Sequence, residues 1–148
     1  MLFTLFLAWI VATTCMTGFS YVFSTLLNEN FKEPKLLADL LGKILNVELP
    51  TWVGWLVHYL TGIVFLIMLI ALYSVTNVSI SVQWGIIFGC MLGGIGIMMW
   101  KALYKLANTD PPTHTRLFHI QLIVAHIIFG MAAIGMERFY DSFLKMWL

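Results

Sequence analysis

Two histidines lie inside apolar stretches of the chain, and each is followed by a glycine four residues later. His58 precedes Gly62 in this way, and His126 precedes Gly130. Because residues four apart share one face of a helix, each imidazole would stand beside a small residue that lets another helix or a flat ligand approach closely. Two neutral imidazoles on facing helices suit six-coordinate iron. One interpretation is therefore a b-type haem with His58 and His126 as axial ligands.

Other interpretations of the histidine pair stay open. Imidazoles buried in a helical bundle can be structural and hydrogen-bond to hydroxyl groups or carbonyls of neighbouring helices. Ionisable groups inside a membrane span also form proton relays and substrate pathways. His119 lies nearer the end of the same apolar stretch as His126 and could contact a haem propionate. Hydroxyl side chains that could bond to a neighbouring helix occur in the first apolar stretch, at Thr13, Thr14, Thr17 and Ser20.

Sulfur-containing residues form a second candidate site. Cys15 and Met16 in the first apolar stretch match Cys90 and Met91 in the third. Thiolate and thioether groups suit Cu(I), although cysteine and methionine are also common packing residues. The sequence contains no Cys-x-x-Cys, no His-Glu-x-x-His, no Walker loop and no carboxylate pair within the apolar stretches. A non-catalytic role is therefore expected more than an enzyme.

The composition places these residues in a membrane. The 148 residues are 61% hydrophobic and 10% charged, against about 45–50% and about 25% in soluble domains. Four stretches are long enough to cross a bilayer as helices, at residues 2–23, 52–73, 82–104 and 117–136. We predict a single transmembrane domain over residues 1–148, an all-α four-helix bundle in the lipid bilayer. The formal net charge of +1 gives no electrostatic case for a nucleic-acid partner.

Basic residues near the span ends predict the orientation. Residues 24–51 carry three lysines and residues 101–116 carry two lysines and Arg116, whereas residues 74–81 carry none and the C-terminal tail carries Arg138 and Lys145. The two basic loops should be cytoplasmic and both termini should lie outside. In the first loop, residues 34–46 have apolar side chains at helical spacing. They predict an amphipathic helix at the cytoplasmic interface, either as a lid on the bundle or as a docking surface.

The order Cys-Met-x-Gly, basic loop, His-x-x-x-Gly occurs twice along the chain. This repetition predicts two parallel helical hairpins related by a pseudo-two-fold axis along the membrane normal, with His58 and His126 facing each other across the bundle. The third span also has glycines at four-residue spacing, typical of a glycine zipper within the monomer or between protomers. The candidate packing residues are Gly54, Gly62, Gly85, Gly89, Gly93 and Gly130.

Residues 12–20, 54–59 and 125–130 resemble small bacterial four-span membrane proteins of unknown function. The resemblance implies a bacterial inner membrane and gives no activity. The chain also resembles, more loosely, the haem-carrying cytochrome b membrane subunits, because it has one histidine in each of two helices. We expect a non-catalytic accessory or scaffold subunit of a larger membrane assembly, or a homo-oligomer. The alternatives are a haem b electron-transfer subunit and a small transporter or channel.

Overall fold

The computed structural model describes the backbone of residues 2–147 and the side chains of residues 2–138. Lys145, one of the residues behind the orientation prediction, therefore lies outside the described side chains. The described chain forms five helices: α1 (Leu2–Leu27), α2 (Glu33–Leu45), α3 (Thr51–Thr76), α4 (Val82–Leu106) and α5 (Thr115–Trp147). All except α2 are long and apolar enough to cross a membrane. The prediction of an all-α bundle with four spans is confirmed.

Asparagines follow the ends of four helices. Asn28, Asn46, Asn77 and Asn108 have φ angles between 46° and 56°, in the left-handed region that asparagine tolerates better than most residues. Helix α4 begins after Ser81, whose hydroxyl accepts a hydrogen bond from the backbone N–H of Trp84 at 3.5 Å. These polar residues fix where the apolar helices stop and the connections turn.

The four long helices do not pack symmetrically. The backbone of α5 lies close to those of α4 and α1, whereas α3 approaches α1 and α4 at few points. The remaining pairs, α1 with α4 and α3 with α5, are therefore diagonal. The two predicted hairpins therefore differ, because α4 and α5 pack closely whereas α1 and α3 approach each other at few points. Helix α2 packs against α3, so the bundle consists of one unit formed by α1, α4 and α5 and a second formed by α2 and α3.

Glycines explain how closely α4 and α5 approach each other. The predicted packing glycines at this contact are Gly85, Gly89, Gly93 and Gly130. A β-carbon added to Gly89 would lie 2.6 Å from the carbonyl oxygen of His126, and one added to Gly93 would lie 2.8 Å from the Cα of Ile123. Real β-carbons do not come this close to backbone atoms, so even alanine does not fit. Gly85, Gly89 and Gly93 of α4 therefore contact α5 within the monomer, and Gly130 belongs to the same contact on the α5 side.

The short helix α2 is a lid on one end of the bundle, which we name the α2 end. A β-carbon added to Gly54 of α3 would lie 1.8 Å from the carbonyl oxygen of Pro34, so the two backbones touch. The buried face of α2 includes Leu37, Ala38 and Leu40. Of the two roles left open by the amphipathic pattern, this packing supports the lid.

Two apolar clusters fill the bundle. The larger lies in its middle and includes Phe65, Leu69, Phe88, Leu92 and Phe129. The smaller lies at the α2 end and joins α2 to the adjoining ends of α4 and α5, through Phe31, Leu37, Trp100, Phe118 and Leu122. The buried polar side chains of Glu33, His58 and His126 lie where residues of the two clusters meet.

Candidate functional site

The candidate site is a layer of polar side chains inside an apolar bundle. The buried polar residues of the described part are Thr4, Thr13, Thr17, Ser20, Ser24, Glu33, His58, Gln121 and His126, of which Thr4 lies apart from the layer at the opposite end of the bundle. Burying such groups costs free energy unless they are hydrogen-bonded. Their partners therefore indicate which of them are structural and which keep an unused hydrogen-bonding atom.

Glu33 is the buried carboxyl group of this layer. It opens α2 and is only 3% exposed. The hydroxyl of Ser20 on α1 and the amide of Gln121 on α5 donate to its Oε1 atom at 2.6 Å and 2.7 Å. Gln121 also donates to the Ser20 hydroxyl. Burial raises the pKa of Glu33 to about 7, although the hydrogen bonds from Ser20 and Gln121 act in the opposite direction. Glu33 therefore joins three helices, and its pKa lies near neutral pH.

The other oxygens of the Glu33–Gln121 pair are not satisfied. Glu33 Oε2 and Gln121 Oε1 are both buried and have no hydrogen-bond partner. Both atoms are acceptors while Glu33 is ionised. A proton on Oε2 of Glu33 would turn one of these two unpartnered acceptors into a donor. The hydrogen bonding of the pair is therefore compatible with the protonated carboxyl group.

His126 presents an unused nitrogen. Its Nδ1 atom lies 2.7 Å from the carbonyl oxygen of Leu122. A carbonyl only accepts, so Nδ1 carries the hydrogen and Nε2 is left as an acceptor. Nε2 is buried without a partner. The ring fits because α4 has glycine opposite it: a β-carbon on Gly96 would lie 2.9 Å from Cε1 of His126. The edge-on ring of Phe65 closes another side, with centroids 4.8 Å apart.

His58 bonds to α1 and carries its proton on the ring nitrogen opposite to the one protonated in His126. Its Nε2 atom lies 2.8 Å from Oγ1 of Thr17, and that hydroxyl donates to the carbonyl oxygen of Thr13 at 2.7 Å. The Thr17 hydroxyl has only one hydrogen, and the bond to Thr13 uses it. Thr17 therefore accepts a hydrogen bond from His58, and Nε2 of His58 carries the proton. The hydroxyl of Thr13 is itself buried without a partner. It faces Gly62, where a β-carbon would lie only 2.4 Å from it.

The two histidines and Glu33 line one cavity of about 40 Å³. A buried water needs about 10–15 Å³ of such space and two or more polar partners. The cavity can therefore hold one to three water molecules. A porphyrin needs the size of an ordinary ligand pocket, about 300–1,000 Å³. His58 and His126 thus come together as the sequence suggested, but this packing does not fit a haem between them, and Nε2 of His58 is already engaged.

A second and larger cavity lies at the opposite end of the bundle. It has a volume of about 820 Å³ and is bounded by α1, α3 and α5. Most of its wall is apolar, and polar side chains from Thr4, Ser74, Asn77 and Glu137 also line it. The hydroxyl of Thr4 is buried without a partner. The larger apolar cluster, which includes Phe129, lies between this cavity and the histidines.

The sulfur-containing residues do not form one site. Cys15 and Cys90 are both exposed on the outer surface of the bundle, and Met91 is 51% exposed. Only Met16 is buried, and it lines the histidine cavity. The two Cys-Met pairs are therefore not equivalent in the fold. Among the described residues there is no group of three or more His, Cys, Asp or Glu side chains that could hold a metal ion.

His119 does not join the histidine cavity. It is partly exposed and lies beside Lys101 and Lys105 in a separate cavity between α4 and α5. The sequence interpretation missed Glu33 and Gln121 as site residues. One signal was present for Gln121, which is the sole amide side chain in residues 117–136.

No protein-family model, curated protein or solved structure matches the chain. The resemblance to small bacterial four-span proteins stays a prediction. The geometry of the polar layer is therefore the basis for assigning a function.

Proposed function

We propose that the protein is a small membrane transporter that moves protons into and through its helical bundle, with Glu33 as the proton-binding group. The observation that supports this proposal is the shared cavity, which places a buried carboxyl group beside two neutral imidazoles. Ionisable residues buried in membrane proteins are costly and commonly mark proton or ion pathways. A small transporter or channel is one of the alternatives that the sequence leaves open.

The proton path begins at Glu33. Its pKa of about 7 allows it to bind and release a proton at neutral pH. One to three waters in the 40 Å³ cavity would connect the carboxyl group to Nε2 of His126, the acceptor without a protein partner. Nε2 can take a proton from such a water and return it. The bond from Nδ1 to the Leu122 carbonyl holds the ring in the required tautomer.

Beyond the histidines the path is closed in this conformation. The larger apolar cluster separates the small cavity from the 820 Å³ cavity at the other end. Both cavities lie where the α2–α3 unit faces the unit of α1, α4 and α5. We infer that a movement of α2–α3 against the other unit carries the proton past the apolar layer. Such rigid-body movement is a common basis of alternating access.

Among the polar contacts between the units, two involve the ionisable side chains of the small cavity and would control that movement. Glu33 of α2 accepts from Ser20 and Gln121, and His58 of α3 bonds to Thr17. Burial in this contact raises the pKa of Glu33, so the contact favours the protonated carboxyl group and ionisation of Glu33 opposes it. Loss of the proton therefore weakens the first contact and couples the proton to the position of α2–α3.

The two remaining interpretations from the sequence require a component other than this chain, either a partner subunit or a haem. A scaffold role in a larger assembly requires a partner subunit and stays a prediction. A haem b between His58 and His126 would require a separation of α3 from α5 much larger than the present cavity provides. Neither has an observation in its favour comparable to the buried carboxyl group.

Proton flux into liposomes tests the proposal. The purified protein is reconstituted around a trapped pH-sensitive dye, and a potassium gradient with valinomycin imposes a membrane potential. We expect proton influx above that of protein-free liposomes, and we expect Glu33→Gln to reduce it to the background. Glu48→Gln, an exposed position in the connection between α2 and α3, is the matched control. Equal flux in the wild type and Glu33→Gln, or no flux in the wild type, would contradict the proposal.

A further inference from the structure

A cavity with a positively charged wall lies at the α2 end, outside the proton path. It has a volume of about 290 Å³ and is formed by the last turns of α4 and the first turns of α5. Its floor is aromatic and buried, with Trp100, Tyr104 and Phe118. The rings of Trp100 and Phe118 meet edge to face with centroids 5.4 Å apart, a favourable aromatic contact.

Lysines from two helices and an imidazole from a third surround the opening. Lys101 and Lys105 are exposed, one turn apart on α4, and His119 of α5 lies beside them. A third lysine reaches the rim from α2, because Nζ of Lys43 donates to Oγ1 of Thr109 at 3.1 Å. The first turn of α5 carries no acidic residue. Asp110 is in the connecting loop, but it is exposed and does not line the cavity.

We propose that this cavity binds the phosphate group of an anionic phospholipid. A phosphate offers several strong acceptors to the ammonium groups of Lys101 and Lys105 and to the imidazole of His119. Basic pockets between transmembrane helices are suited to anionic headgroups. The volume of 290 Å³ accommodates a headgroup but not a whole lipid.

The position of the cavity favours a lipid over a free anion. Lys101 directly follows the apolar run of α4, so the cavity lies at the level where a headgroup meets the hydrocarbon. Exposed apolar side chains occur on both helices close in sequence to the lining residues, with Met98 at 71% exposure three positions before Lys101 and Ile120 at 46% directly after His119. Acyl chains can lie along these surfaces while the phosphate occupies the basic cavity.

Lipid titration of the detergent-purified protein tests this site. The probes are phosphatidylglycerol, phosphatidylcholine with the same acyl chains, and inorganic phosphate, and the readouts are the unfolding temperature and the lipid retained in native mass spectrometry. We expect phosphatidylglycerol alone to be retained and to raise the unfolding temperature. The double variant Lys101→Gln/Lys105→Gln should bind it on the order of tenfold more weakly.

The control is Lys35→Gln, an exposed lysine of α2 that does not line the cavity, which should bind like the wild type. Both altered lysines are exposed, and helical content measured by circular dichroism checks that the double variant folds. Equal binding of phosphatidylcholine, unchanged phosphatidylglycerol binding by the double variant, or a stronger effect of Lys35→Gln would overturn the proposal. Stabilisation by inorganic phosphate as large as that by phosphatidylglycerol would assign a free-anion site and also overturn it.

Discussion

The side-chain amide of Gln121 donates a hydrogen bond of 2.7 Å to the carboxyl group of Glu33, across 88 positions of the sequence. This bond joins α5, the most tightly packed span, to α2, the lid of the bundle. It also holds the carboxyl group against the cavity that contains His58 and His126. The protonation of one side chain is therefore connected to the docking of α2 and to the contents of the cavity.

The raised pKa of Glu33 predicts how the stability of the protein depends on pH. The group titrates near its usual value of 4.5 when unfolded and at about 7 when folded. Between these values the folded state binds more protons than the unfolded state, so stability falls as pH rises from about 4.5 to about 7. The contribution of Glu33 to this loss is at most about 3 kcal/mol.

Thermal unfolding in detergent between pH 4.5 and pH 8 measures this dependence. Glu33→Gln keeps an amide of similar shape and cannot ionise. We expect the variant to lack the Glu33 part of the slope and to exceed the wild type in stability at pH 8. The exposed Glu48→Gln should keep the wild-type slope. If the slopes of the wild type and Glu33→Gln agree, Glu33 does not titrate with a raised pKa.

The contact between α4 and α5 predicts opposite effects for two glycines of the same helix. A β-carbon on Gly89 would lie 2.6 Å from the carbonyl oxygen of His126, whereas one on Gly94 meets nothing within 4 Å. Gly89→Ala should lower the unfolding free energy by about 1–3 kcal/mol, because the backbones must separate. Gly94→Ala should be neutral or stabilise the helix by up to about 1 kcal/mol.

Thermal unfolding and elution volume of both variants check this prediction. Gly89→Leu should be worse than Gly89→Ala, with poor expression or an altered oligomer. A Gly89→Ala protein as stable as the Gly94→Ala protein would show that the backbones of α4 and α5 do not touch at Gly89.

The difference between what the sequence predicted and what it missed has a physical cause. The spans, the helix in the first loop and the packing glycines depend on local patterns of apolar and small residues. Such patterns can be recognised directly in the sequence. The burial of Glu33 is not local, because Ser20 and Gln121 come from distant parts of the sequence. An acidic residue in the first turn of a helix usually remains exposed and interacts with the helix dipole.

The two Cys-Met pairs predicted a common site that the structure does not contain, and the reason is related. Neighbouring residues on a helix point about 100° apart, so a repeated Cys-Met pair does not determine which member faces the interior. Helix α1 places Met16 inside and Cys15 outside, whereas α4 leaves both Cys90 and Met91 exposed. Only the packing of the whole bundle decides this rotation.

The basic residues predict the sidedness of the bundle, and accessible cysteines can measure it. In a background with Cys15→Ala and Cys90→Ala, Asp39→Cys on the exposed face of α2 should react with a membrane-impermeant maleimide only after the cells are opened. Ser79→Cys, exposed in the connection between α3 and α4, should react in intact spheroplasts. The physical reason is the excess of Lys and Arg in the loops at the α2 end. The reverse labelling pattern would place the α2 end outside.

The size of the histidine cavity predicts the colour of the protein. A space of about 40 Å³ between His58 and His126 holds water but not a porphyrin, so the protein purified from haem-replete cells should be colourless. The visible spectrum, recorded oxidised and then reduced, checks this directly. A strong Soret band lost in both His58→Ala and His126→Ala would establish the bis-histidine haem instead. Without haem, His58→Ala should cost only the bond to Thr17, on the order of 0.6–2 kcal/mol, because no cofactor depends on the imidazole.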